Sequence, residues 1–102
     1  MTIEKKENGN EITLIPAGRL DTTTAPQLEA EINECTASAE TQKLIMDFKD
    51  LEYLSSAGLR ILLAAHKVFM KREGSMTICH VSETIQEVFE VTGFLDILNI
   101  EE

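Results

Sequence analysis

The segment that most restricts the fold is Lys43 to Phe48, "KLIMDF". Leu44, Ile45 and Met46 follow one another without a polar interruption, and the run is too short for a helix of ordinary length. It reads as a strand buried on both faces, as in a parallel sheet. Helical patterns lie on either side. Upstream, Ala25, Leu28, Ile32 and Cys35 recur at helical spacing, with Glu29, Glu31 and Glu34 on the wet side, which predicts a helix over 25 to 38. Thr24, Pro26 and Gln27 look like its start: a hydroxyl N-cap, a proline in the first turn and a glutamine three residues on. Downstream, Leu59, Leu62, Leu63, Val68 and Phe69 predict a second helix. Ser55 or Ser56 caps it, and it ends near Lys71 and Arg72 with Gly74 as its stop.

The flanks complete the pattern. Ile3 to Glu7 reads as a short strand, Asn8-Gly9-Asn10 as a turn and Glu11 to Ala17 as an alternating strand, so the chain opens with a hairpin. Pro16 marks a strand end or an edge. Asp50 to Leu54 is read as a connector. Met76 to His80 is a further strand, and Ser82 opens a third helix through Ile85, Val88, Phe89 and Thr92, stopped by Gly93. A last apolar segment, Leu95 to Ile100, has room for a short strand. A hairpin followed by strand–helix units specifies an α/β sandwich with a mixed sheet packed against helices. At 102 residues, one domain over 1–102 is expected. Sites in such folds form where strand C-termini meet helix N-termini.

The formal net charge of −9 argues against nucleic acid or an anionic membrane surface as a partner. The start, Met-Thr-Ile-Glu-Lys-Lys, has no apolar signal core, and the densest apolar run, Ile61 to Ala65, falls far short of the ~20 residues that cross a bilayer. A cytoplasmic protein is expected. Cys35 and Cys79 are far apart and have no metal-site spacing, so both read as small buried hydrophobes in a reducing compartment.

Three kinds of site chemistry can be weighed. "LSSAGL", Leu54 to Leu59, supplies half of a nucleophile elbow, but Leu54 stands where the first glycine belongs. His66 would lie about three turns down the same helix from Ser56, out of reach as a base. His66 and His80 are therefore read as surface or boundary residues. Metal chemistry has little support: Asp47 and Asp50 near a strand end are more simply turn and cap residues, and no metal or other cofactor is expected. The third chemistry is phosphorylation. A serine at a helix start sits beside unpaired N–H groups and a partial positive charge, where a phosphate is accommodated. It would add about −1.5 to −2 charges to an open corner and repel a partner fitted to the neutral hydroxyl. Ala57 and Gly58 keep that corner bare. The simpler reading, that Ser55 and Ser56 only cap the helix, stands beside it.

The stretch "DLEYLSSAGLRILLAAHK", residues 50 to 67, resembles the signature of the STAS family, the bacterial anti-sigma factor antagonists and related modules. "AGRLDTTTAPQLEAEI" resembles the family's segment before its first helix, and "VSETIQEVFEVTGFLDILNI" its last helix and following turn, so the likeness covers nearly the whole chain. The resemblance implies an STAS-like sandwich and a regulatory binding protein, not an enzyme. It implies that the unphosphorylated form binds an anti-sigma factor that is also a serine kinase and so releases a sigma factor. Phosphorylation of the serine two residues before the glycine, here Ser56, breaks the complex, and a PP2C-type phosphatase restores it. Asp21 matches an aspartate beside that serine. Many phosphorylated members carry Asp just before the acceptor; here Ser55 stands there and is the second candidate. Asp21, Thr22, Thr23, Ser55, Ser56, Ala57, Gly58 and Arg60 are the expected contact surface of a monomer that forms heterocomplexes. The alternatives on the same fold are an STAS subunit of a lipid-transport ABC system and a partner-switching regulator of a process other than transcription.

Overall fold

In a computed structural model, which describes residues 1–101, the KLIMDF run is a strand in the middle of a six-stranded mixed sheet. The chain runs β1 (Thr2–Asn8), β2 (Glu11–Leu20), α1 (Ala25–Thr36), β3 (Lys43–Asp47), β4 (Leu51–Leu54), α2 (Ser56–Lys71), β5 (Ser75–Cys79), α3 (Glu83–Thr92), a 3-10 turn (Phe94–Asp96) and β6 (Asn99–Ile100). The sheet order is β1-β2-β3-β5-β6, with β4 paired to the far end of β2. β1 and β2 form the antiparallel hairpin; every other pairing is parallel.

Strand register sorts the side chains. Ile12, Leu14, Leu44, Met46, Phe48, Met76 and Ile78 are all buried in one core cluster with the helices. That core receives Leu28 and Ile32 from α1, Leu59, Leu62 and Phe69 from α2, and Ile85 and Phe89 from α3. Removing either phenylalanine ring would cost about 3–5 kcal/mol, since a close-packed interior collapses poorly around a cavity. The opposite face, through Thr13, Ile45 and Thr77, is only half-buried. β3 is therefore covered on one face, not two: its unbroken apolar run comes from Ile45 on the less buried side.

Three further expectations are revised. Pro16 lies inside a central strand. It is tolerated because the parallel ladder to β3 ends at Leu14 and the ladder to β4 begins at Gly18, leaving Pro16 between them. Residues 51–54, expected as a connector, form β4; its parallel partnership with Gly18, Arg19 and Leu20 is too short to give a readable alternation. At the end of α2 the left-handed residue is Glu73, φ 57°, not Gly74. Glu73 N–H donates to Met70 O at 3.1 Å and Gly74 N–H to Phe69 O at 2.8 Å, the paired bonds of a Schellman exit. Gly74 is required for a different reason: a Cβ there would collide with the Gln42 carbonyl.

These two neighbours should respond with opposite signs. Glu73→Gly relieves the left-handed strain and should stabilise by about 0.5–1 kcal/mol. Gly74→Ala should destabilise by about 1–3 kcal/mol through overpacking. Urea midpoints at unchanged m-value check both.

Candidate functional site

The corner where β2 and β4 end is assembled from backbone outward. Leu20 and Leu54 are register partners on the parallel pair, and both are buried. The chain leaves β4 into α2 at Ser55, whose N–H donates to Leu20 O at 2.9 Å. Gly58 then rests on the two leucines; a Cβ there would stand 2.7 Å from Leu20 Cγ and 2.7 Å from Leu54 Cδ1. The sequence small-glycine-leucine thus lets the first turn of α2 lie flat on the sheet end, while Leu59 enters the core.

The two serines separate in role. Ser55 is the N-cap, with extended backbone, and its Oγ accepts from Gly58 N–H at 3.4 Å. Ser56 is the first helical residue, is exposed, and its hydroxyl has no hydrogen bond among the described residues. Its own N–H and that of Ala57 belong to the first helical turn, which has no carbonyl four residues back inside the helix. Arg60, also exposed, lies one turn on along the same helix face.

Asp21 follows Leu20 and sits at the same corner. Its Oδ1 accepts from Thr23 N–H at 3.0 Å and Thr24 N–H at 3.2 Å. The Thr24 and Thr23 N–H bonds, in that order, hold its carboxyl below the ordinary carboxylate range, with help from Arg19. Thr24 is the residue before α1, but its hydroxyl does not cap the helix: Oγ1 donates to Arg19 O at 2.6 Å and accepts from Asp21 N–H at 3.0 Å. The expected threonine cap is replaced by an aspartate turn. Thr22 and Thr23 are exposed on its outer side.

Two rim residues were missed from sequence. Arg19 and Tyr53 are register partners; the guanidinium lies 4.1 Å from the ring centroid, and Arg19 Nε is 3.8 Å from Asp21 Oδ2. Tyr53 is one of the exposed large hydrophobics. The signal was present in the contiguous Arg19-Leu20-Asp21, but without β4 as a strand nothing placed Tyr53 opposite Arg19.

No histidine is hydrogen-bonded to Ser56 among the described residues. His66 is half-buried with its Nδ1 unpartnered, and His80 pairs with Asp47. Asp47, Cys79 and His80 form the one group able to hold a metal among the described residues. Both cysteines are free thiols, and burial pushes each thiol pKa up. No described helix is long and apolar enough to cross a membrane.

A model of the STAS domain matches residues 2–102 of the chain. The chain is 31% identical over 101 residues to the anti-sigma-B factor antagonist of Listeria monocytogenes, covering 98% of this chain and 88% of that protein. The fold superimposes on an anti-sigma factor antagonist from Mycobacterium paratuberculosis with a TM-score of 0.86 at 24% identity, covering 97% of this chain and 83% of that one. It also matches the Bacillus cell fate determinant SpoIIAA in its phosphorylated form, with a TM-score of 0.77 at 18% identity over 99% of this chain and 92% of that one.

Because Asp21 is held below its ordinary range, the turn's stabilisation is complete above the unfolded pKa. It fades as pH falls and is gone only below the depressed folded value. The Thr23 and Thr24 amide protons should titrate with a shared midpoint below 3.8, followed by NMR. Ser55→Ala, which removes the cap, should destabilise by about 0.5–2 kcal/mol in urea unfolding.

Proposed function

The chain belongs to the STAS domain family, and from that premise we propose that it is an anti-sigma factor antagonist whose docking is switched by phosphorylation of Ser56. The unphosphorylated corner binds an anti-sigma factor that is itself a serine kinase. Phosphate transfer to Ser56 releases the partner, and a PP2C-type phosphatase resets the chain. The antagonist names of its relatives support the binding role.

One observation carries the assignment of the acceptor: Ser56 is exposed with an uncommitted hydroxyl at the first position of α2, whereas the hydroxyl of Ser55 is engaged as the cap. A kinase needs an accessible nucleophilic oxygen. The helix start then accommodates the product, because first-turn N–H groups and the helix dipole favour an anion there, and Arg60 lies one turn away. The modification therefore changes the surface and leaves the fold intact. About −1.5 to −2 added charges on a desolvating contact are enough to oppose docking. Asp21 and the exposed Thr22 and Thr23 extend the contact on one side, with Arg19 and Tyr53 at its rim. Gly58, expected on the contact surface, is instead buried against Leu20 and Leu54, so it shapes the corner from beneath, and of the small residues only the half-buried Ala57 borders the approach.

Incubation with a partner kinase of the GHKL ATPase type and ATP should add one phosphate, mapped by mass spectrometry to Ser56 and absent from Ser56→Ala. Ser56→Asp should weaken partner binding at least about tenfold, about 1.4 kcal/mol, while shifting stability by less than about 0.5 kcal/mol. Phosphate on Ser55, or equal partner affinity of Ser56→Asp and wild type, would refute the assignment.

A further inference from the structure

Asp47, Cys79 and His80 converge at the exits of β3 and β5 and include none of the residues assigned to partner binding. Asp47 and Cys79 are partners on the last rung of the parallel ladder, which sets their side chains on the same face. The Phe48 N–H donates to Cys79 O at 3.0 Å and fixes that rung. In an extended strand the next residue, His80, would point to the opposite face. It does not, because its backbone is left-handed, φ 55°, an uncommon conformation for a histidine. The turn returns the imidazole to Asp47, with Nδ1 2.9 Å from Oδ1. One ligand atom from each of the three residues lies within 4.8 Å of the others.

We propose that Asp47, Cys79 and His80 form a binding site for a divalent transition metal of the zinc class. The donor set is one thiolate, one imidazole and one carboxylate, which suits zinc and not the oxygen-seeking magnesium or calcium. Bonds of about 2.0–2.3 Å place tetrahedral ligand atoms about 3.3–3.8 Å apart, so the three side chains need to adjust by about 1 Å. The fourth position is left to water. On binding, the imidazole coordinates through Nδ1 as its Nε2–H tautomer, the Nδ1 proton moving to Nε2 by exchange with water, and Sγ binds as thiolate with its proton passing to solvent.

The surroundings suit a cation. The Asp47 side chain is 14% exposed, and its Oδ1 also accepts from Lys49 N–H at 3.1 Å, which orients the carboxylate as an outer-shell bond does in metal sites. Its Oδ2 has no hydrogen bond to a described residue. Glu101, whose N–H donates to Ile78 O at 2.8 Å, brings a further negative charge toward Cys79. Strain at His80 is the kind of local outlier that clusters at ligand sites.

Co²⁺ titrated into the reduced full-length chain should bind one to one, with a thiolate-to-cobalt charge-transfer band in the near-ultraviolet that Zn²⁺ abolishes and Mg²⁺ does not. Cys79→Ser should lose the band. His80→Asn, which keeps a residue tolerant of left-handed backbone, should weaken Co²⁺ binding at least about tenfold. Zn²⁺ should raise the melting temperature of the wild type more than that of either variant. Absence of the band in the wild type, its survival in Cys79→Ser, or equal Co²⁺ affinity in His80→Asn and wild type would each overturn the proposal. Circular dichroism of the metal-free variants establishes that they are folded.

Discussion

The close approach of Gly58 to Leu20 and Leu54 is the contact on which the corner depends. It is an apolar contact and a polar one together. Because no Cβ intervenes, the first turn of α2 sits low enough for Ser55 N–H to reach Leu20 O at 2.9 Å, closing the end of the β2–β4 pair. The leucines are fully or nearly fully buried, so lifting the turn would open a gap in close-packed interior as well as break a hydrogen bond. The position of Ser56 follows: it is the first residue beyond that bond, at the point where the helix surface turns toward solvent.

Parallel pairing gives the two ends of the sheet different work. At the strand exits the chain leaves a hydrogen-bonded ladder and carries the polar side chains of the candidate sites, Asp21, Ser56, Asp47 and His80, of which Asp21 and Asp47 also hold backbone N–H groups of the adjoining turns. At the other end, helix C-termini feed into strand starts, and the polar groups are engaged in structure. Arg72 donates to the carbonyls of Thr36, Ser38 and Thr41, joining the end of α2 to the end of α1. Of these, the Thr36 carbonyl is one of those that the last turn of α1 leaves unpaired, and the other two belong to the loop that follows it.

Much of the architecture was legible in the residues. Helical spacing located α1, α2 and α3 within two residues, and Asn8-Gly9-Asn10 located the hairpin. β4 was not legible, because three paired residues carry no period. The cap at α1 was misread because Thr24 has two possible partners, and only the path of β2 brings the Arg19 carbonyl to it. The grouping of Asp47 with Cys79 and His80 was invisible for a similar reason: residues 32 apart in sequence show no spacing, and the rung that joins them exists only once β3 and β5 are in register.

The amino-acid sequence by itself determined the periodicities, the hairpin, the serine at a helix start and, through its motifs, the STAS family. These are local properties: side-chain volume, backbone preference and hydrogen bonds that span a few residues. Tertiary structure decided which of two adjacent serines is occupied by capping, which carbonyl Thr24 finds, and which residues share a rung. Those outcomes depend on strand register and on how closely a helix can approach a sheet, and neither is encoded within a single segment.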